Sequence, residues 1–189
     1  ELQDAIMSAR MIPLRVLFQR YPRTIRDISR KSGKQVDLVI TGEDTELDKT
    51  VIEAINDPLV HMLRNAVDHG IEPPEERKAL GKHPQGTISL RAYYQGGYVV
   101  IEISDDGRGL DPERIKQKAV EKGLVHPVHA QTMSPEDLYQ FIFAPGFSTA
   151  QEVTELSGRG VGMDVVKNNI ERLGGFIYVD SQPSAGITF

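Results

Sequence analysis

The chain has 189 residues, 39% hydrophobic and 26% charged, with a net charge of −5 at neutral pH and no cysteine. This is the balance of one water-soluble globular domain, or one domain with an appendage. It excludes a disulfide framework and a thiolate metal site. No stretch approaches the roughly 18 apolar residues of a membrane helix and no signal-peptide pattern is present, so a cytoplasmic location is expected.

"LQDAIMSARMIPLRVLFQRYPRTIRDISRKSG" reads as helical, interrupted at Pro13 and Pro22 and stopped near Gly33. Residues 1–35 carry eight Lys/Arg against three Asp/Glu, a net +5, which leaves −10 for the rest. The arginines (Arg10, Arg15, Arg20, Arg23, Arg26, Arg30) are spread at helical spacing rather than clustered, with no interleaved base-stacking platform. That is the pattern of a solvated or internally paired helix face, not of a nucleic-acid surface. "QVDLVITG" is a short strand. "DKTVIEAI" and "DPLVHMLRNAVDHG" follow as two helices, the second with Asp57 as N-cap, Pro58 in its first position and Gly70 past its end. "EPPEERKALGKHPQG" is a polar loop with room for two helical turns.

"TISLRAYYQGGYVVIEIS" is a hairpin around Gly96 and Gly97. A helix runs from Pro112 to about Lys122, closed by Gly123, and "SPEDLYQFIF" opens with Ser134 as N-cap and Asp137 at the capping-box position. The three phenylalanines of "FIFAPGFST" suit a core. "APGFSTAQEVTELSGRGVG" has little periodicity and four glycines, and is expected to be mobile. "VGMDVVKNNIERL" is amphipathic and ends at Gly174-Gly175; "FIYVDSQ" and "GITF" are the last strands, the chain stopping inside the second like a piece of something longer. One helical layer over one face of a mixed sheet accommodates these elements.

At 100° per residue, the helix 59–69 places Leu59, Val60, Met62, Leu63, Ala66 and Val67 on an arc of about 160°. His61, Arg64, Asn65, Asp68 and His69 share the opposite arc, with His61, Asn65 and His69 one turn apart on a line. Asn, His and Asp are poor helix formers, and a merely wet face favours Glu, Lys and Gln. Zinc needs three or four strong ligands, so Asn fits better on a Mg²⁺ shared with phosphates. Taken alone, the helix is balanced between a solvated face and a row of ligands.

"SDDGRGLD" follows a strand directly. Gly107 and Gly109 allow close approach to a flat ligand, and Asp105, an acceptor when ionised, suits one exocyclic amine. A tight Asp-capped turn is the alternative; the EF-hand spacing is absent. "SGRGVGMDVV" sets Gly158, Gly160 and Gly162 just before a helix, an arrangement suited to phosphates. Met163 stands where a dinucleotide fingerprint needs glycine. Gly33-Lys34 and Gly81-Lys82 lack the Ser/Thr and upstream glycine of a Walker A loop.

An Asn-bearing helix, DxGxG after a strand, Phe-Gly-Ser/Thr, then GxGxG opening a helix resembles, in that order, the N, G1, F and G2 boxes of the GHKL (Bergerat) ATP-binding fold of histidine kinases. "LRNAVDHGIE", "DDGRGLD", "FAPGFST" and "SGRGVGMDVVK" are closer still to the catalytic domains of chemotaxis histidine kinases of the CheA family. The resemblance runs from "GEDTELDK" nearly to the C-terminus. It implies an α+β fold: a two-layer α/β sandwich whose mixed β-sheet is covered on one face by helices. That domain would span residues 31–189 with an ATP lid at about 112–160. Residues 1–30 would be a helical segment, the end of a dimerisation element.

The resemblance also implies roles. Asp105 would take the adenine amine, with Gly107 and Gly109 beside the base. Asn65 would hold Mg²⁺ on the ATP phosphates with His61 as neighbouring ligand or phosphate contact, and His61, Arg64 and Asn65 would be the catalytic set. Arg64 and His69 would sit near phosphates or ribose, with Asp68 among the nucleotide-binding residues. Gly158, Arg159, Gly160, Val161, Gly162 and Met163 would form the lid edge, and Phe147, Ser148 and Thr149 would close with it. "SAGITF" departs from the family's Gly-x-Gly-Thr turn, at the phosphate-side contact from Thr188.

The implied reaction moves the ATP γ-phosphoryl group to a histidine on a separate phosphotransfer domain of the same kinase. Partners would be a CheW-like adaptor, chemoreceptors and a downstream response regulator, with no nucleic acid and no membrane insertion. The parent would be a homodimer at membrane receptor arrays. Two alternatives are an ATP-driven clamp of gyrase or MutL type and a nucleotide-binding scaffold without turnover. The clamps carry a glutamate four residues before the Asn; here that residue is His61.

Overall fold

The structure, a computed structural model, describes residues 10–147 and 162–189. Its frame is a five-stranded sheet of β2 (Val36–Thr41), β4 (Gly86–Gln95), β5 (Tyr98–Asp105), β6 (Asp180–Gln182) and β7 (Gly186–Thr188), in the order β2-β4-β5-β7-β6. β2 and β4 are parallel, and the other neighbours are antiparallel, so the sheet is mixed. Gly96 and Gly97, both at positive φ, form the two-residue turn between β4 and β5. This is the turn whose twist matches that of its strands.

One sheet face is closed and the other open. On the closed face Ile88, Leu90, Ala92 and Ile103 are buried, whereas Val39 on β2 is 41% exposed. The core cluster on the closed side joins these strands to α2 (Tyr21–Ser32), α3 (Lys49–Asn65) and α8 (Met163–Arg172). Shorter helices are α1 (Arg15–Phe18), α4 (Pro74–Ala79), α5 (Pro112–Glu121), α6 (Pro127–Ala130) and α7 (Pro135–Tyr139), the last running into a 3₁₀ turn at Gln140–Phe143. Ser134 caps α7 as the sequence predicts, Asp111 caps α5, and Phe143 and Phe147 are buried. None of the described helices is long and apolar enough to cross a membrane.

Several local expectations are settled by the structure. Met11–Pro13 is not helical: it forms strand β1, antiparallel to β3 (Glu46–Asp48). A three-residue pairing with a distant segment leaves no periodic trace, and tertiary pairing overrides propensity here. The break expected at Pro22 is present: α1 ends at Phe18, and Pro22 lies in the first turn of α2, where a missing N–H costs nothing; Gly33, at φ +66°, ends it. The two helices expected around Asp57-Pro58 are one. Asp48 caps it through the Thr50 amide (2.8 Å), and Pro58 is buried within it. Ile52 and Ile55 before the proline and Leu59, Met62 and Leu63 after it bury against the same core, which outweighs the one hydrogen bond that proline removes. Finally, "FIYVDSQ" is a strand only over Asp180–Gln182, because β7 pairs no further than Asp180. Phe176 and Tyr178 stay exposed.

Candidate functional site

Helix α3 ends at the residue that the sequence singles out. Asn65 is half-buried, and its Nδ2 lies 3.2 Å from His61 Nε2, one turn back, and 3.7 Å from Met163 Sδ. The amide is thus held on two sides, and its Oδ1 is the atom left to bind a metal. Met163 opens α8 directly after its N-cap Gly162, so the start of α8 stands against the end of α3.

Beyond Asn65 the helix widens into a π turn, Ala66–Gly70, closed by Ile71 N–H donating to the Ala66 carbonyl at 2.8 Å. The wider turn breaks the 100° progression. His69 is consequently exposed while His61 and Asn65 are half-buried, so the expected line of three ends after two. Lys34 braces the turn: its Nζ donates to the Val67 and Asp68 carbonyls, both at 2.7 Å. Arg64 and Asp68 are half-buried on either side of Asn65.

Gly70 brings the second part of the site into contact, since its carbonyl accepts the Arg108 amide at 2.9 Å. Asp105 ends β5, and its Oδ1 accepts the Gly107 amide at 2.8 Å. Burial pushes the Asp105 carboxyl up to about 6, against the pull of the Gly107 and Ile187 amides. Gly107 is irreplaceable for space, because a Cβ there would sit 2.1 Å from the Gly70 carbonyl oxygen. Gly109 is at φ +70°, and a Cβ would lie 2.3 Å from the Gln182 carbonyl. Ser181 seals this side, accepting the Leu110 amide and donating to the Gly186 carbonyl, both at 2.8 Å. Thr188 lies on β7 opposite Ser104, next to Asp105 in the strand.

The structure therefore unites the end of α3, the Asp105 loop and the start of α8. Ser148, Thr149, Gly158, Arg159, Gly160 and Val161 lie outside the described residues, as does most of the segment expected to be mobile. Among the described residues no group of three or more His, Asp or Glu could hold a metal.

Sequence reasoning missed two features. One is Lys34, weighed only as a failed Walker lysine. The other is an ion network behind the Asp105 loop, in which buried Glu72 and Arg77 pair with the partly exposed Lys82 and Asp106. Glu72 and Arg77 are 0% and 1% exposed. Burial works to raise the Glu72 carboxyl, but the Lys82 hydrogen bond and the charges of Lys82 and Arg77 hold it below the usual range. The interval of five residues from Glu72 to Arg77 fits no helix or strand period, and in sequence the segment resembles any charged loop.

With the geometry in view, comparison with known proteins is decisive. Residues 54–189 match the histidine kinase-, DNA gyrase B- and HSP90-like ATPases. The chain belongs to that family. This ATPase-family chain is 53% identical over 188 residues to the sensor histidine kinase CheAY of Helicobacter pylori, covering 100% of the chain and 23% of that protein. It is 52% identical over 189 residues to the chemotaxis protein CheA of Treponema pallidum, again 100% and 23%. For CheA of Bacillus subtilis the figures are 48% over 189 residues, 100% and 28%. The chain thus spans about a quarter of the length of these relatives. Among solved structures, the catalytic domain of histidine kinase ThkA matches with a TM-score of 0.54 at 19% identity, over 95% of this chain and 90% of that one. A mycobacterial sensor histidine kinase, MprB, matches at 0.52 and 17%, over 94% and 93%. At such identities these two show the shared fold alone: the α+β ATPase fold that the sequence implied.

Proposed function

We propose that the chain binds ATP with Mg²⁺ between the end of α3 and the Asp105 loop, and that it serves as the catalytic domain of a CheA-like protein-histidine kinase. The observation that carries this reading is the meeting of Asn65, held by His61 and Met163, with the half-buried carboxylate of Asp105 across the Gly70–Arg108 contact. Asp105 accepts the exocyclic amine of adenine, which favours its ionised form. Asn65 presents an amide oxygen to Mg²⁺, an ion that takes few protein ligands when phosphates supply the others. His61 is a weaker candidate for that ion than for the role it already has, orienting the Asn65 amide. The metal would neutralise phosphate charge, and Arg64 would add to that neutralisation. The start of α8 offers helix-terminal amides to the phosphates.

Phosphoryl transfer asks for positioning and charge neutralisation more than for covalent work by the protein. A histidine nitrogen on a separate phosphotransfer domain attacks the γ-phosphorus, the bond to the bridging β,γ-oxygen breaks, ADP departs, and the ring gives its proton to solvent. By resemblance to the CheA proteins, the parent would be a homodimer served by an adaptor, chemoreceptors and a response regulator. A clamp-type hydrolase is disfavoured because His61 occupies the position of the water-activating glutamate. The deciding experiment mixes the chain with a histidine phosphotransfer domain and γ-labelled ATP. Acid-labile, base-stable label on that domain supports transfer; free phosphate with an unlabelled domain overturns it.

A further inference from the structure

The ion network is not used by the proposed reaction, yet its hydrogen bonds converge on the peptide units just after Asp105. Lys82 Nζ donates to Glu72 Oε2 at 2.7 Å, to the Asp106 carbonyl at 3.1 Å and to the Gly107 carbonyl at 2.8 Å. Arg77 Nη1 donates to Glu72 Oε1 at 3.0 Å and to the Asp106 carbonyl at 3.2 Å. Its Nη2 donates to Asp106 Oδ2 at 3.0 Å, and Nε to the His83 carbonyl at 2.6 Å. Asp106 is fixed further, since its Oδ1 accepts the Thr87 amide at 2.9 Å.

One peptide unit carries the argument. The carbonyl of Asp106 and the N–H of Gly107 belong to the same planar trans group, so they point in opposite directions. Two cations hold the carbonyl end, and the N–H end donates to Asp105 Oδ1 at 2.8 Å. Cations on the carbonyl also polarise the N–H and strengthen the bond it donates. Stability alone is a poor reason for burying these charges, because well-packed apolar residues often serve a core as well. Glu72 lies two residues past the π turn, so the network also ties the Asp105 loop to the segment that carries Asn65.

We propose that Arg77, Lys82 and Glu72 are positioning residues for base recognition: gripping the Asp106 carbonyl, they aim the Gly107 N–H at Asp105 and fix the carboxylate that reads the exocyclic amine. This rests on the assignment of Asp105 to adenine. The test compares calorimetric affinities of the full chain for ADP and for purine riboside 5′-diphosphate, which lacks that amine. Lys82→Met is expected to reduce the preference for ADP by about fivefold, the worth of one hydrogen bond, and to leave affinity for the amine-free nucleotide within about twofold. Lys82→Arg is expected to restore most of the preference. Equal loss for both nucleotides, or an unchanged preference with a lowered melting temperature, would reduce Lys82 to a fold-supporting residue. Should Lys82→Met lose its cooperative unfolding transition, Lys82→Gln, which is too short to span three acceptors, is judged by the same criteria. Asp105→Asn runs in parallel. If it keeps the preference for ADP, the adenine assignment itself fails; if it abolishes the preference while Lys82→Met retains it, only the positioning role fails.

Discussion

Asp105 is held in a place that opposes its charge. Its carboxyl is raised by burial from the ordinary aspartate value of 3.8 to about 6. Between those pH values the folded chain holds more protons on this group than the unfolded chain, so its contribution to stability falls as pH rises through the window. Above it, the half-buried carboxylate costs roughly 3 kcal/mol. Asp105→Asn should therefore raise the melting temperature of the nucleotide-free protein at pH 7 more than at pH 4, as scanning calorimetry can check. The same substitution should weaken ATP binding by roughly 10- to 150-fold, since a charge-assisted hydrogen bond is worth about 1.5–3 kcal/mol. Adenosine, which has no phosphate to titrate, should bind the native chain less well as pH falls through about 6, and the Asn variant without that dependence. For Asn65→Ala the expected damage is unequal, with Mg²⁺-dependent transfer losing more than nucleotide affinity. Equal losses in the two assays would remove the metal role.

The π turn marks the point at which helix periodicity stopped predicting the site. The pairing of His61 with Asn65 was legible because α3 is regular up to that point, whereas the placing of His69 was not, because Ile71 bonds five residues back to Ala66. Lys34 closes on this turn from another part of the chain, and no local pattern announces such a contact. Lys34→Met should cost roughly 1.5–3 kcal/mol, the scale of a hydrogen bond from a charged donor, and accelerate amide exchange at Ile71. Unchanged exchange there would mean that the turn holds itself. The Gly96-Gly97 hairpin and the Ser134 cap were readable for the opposite reason, being settled by residues within a few positions of each other. The β1–β3 pairing and the passage of α3 through Pro58 depend on distant strands and on a shared core, and sequence patterns carry neither.

For the whole molecule, the order of the boxes was enough to specify the fold; of those described, the Asn-bearing helix and the Asp105 loop each lie at the end of an element and meet at the Gly70–Arg108 contact. The distant ion pairs that hold them there were not readable. Catalytic behaviour also belongs to this scale. A domain that positions phosphates but lacks the clamp's glutamate should hydrolyse ATP slowly alone and turn over only with a histidine-bearing partner. Steady-state phosphate release without that partner, at a rate matching transfer, would favour the clamp.

The parallel pairing of β2 with β4 has a consequence for how the site comes into being. Strands β4 and β5 meet across two residues, a closure of the microsecond kind. β2 reaches β4 only after residues 42–85, α3 and the π turn among them, have been laid down as the crossover between them. Pulse-labelled hydrogen exchange during refolding should accordingly protect the amides of Leu90 and Ile103 before those of Leu38 and Ile40. On the proposed reading, the Asp105 loop that reads the base would then belong to an early-folding hairpin and the Asn65 end of the site to a late-arriving helix, so that the two halves of one ligand's site would have separate histories before they have a common function.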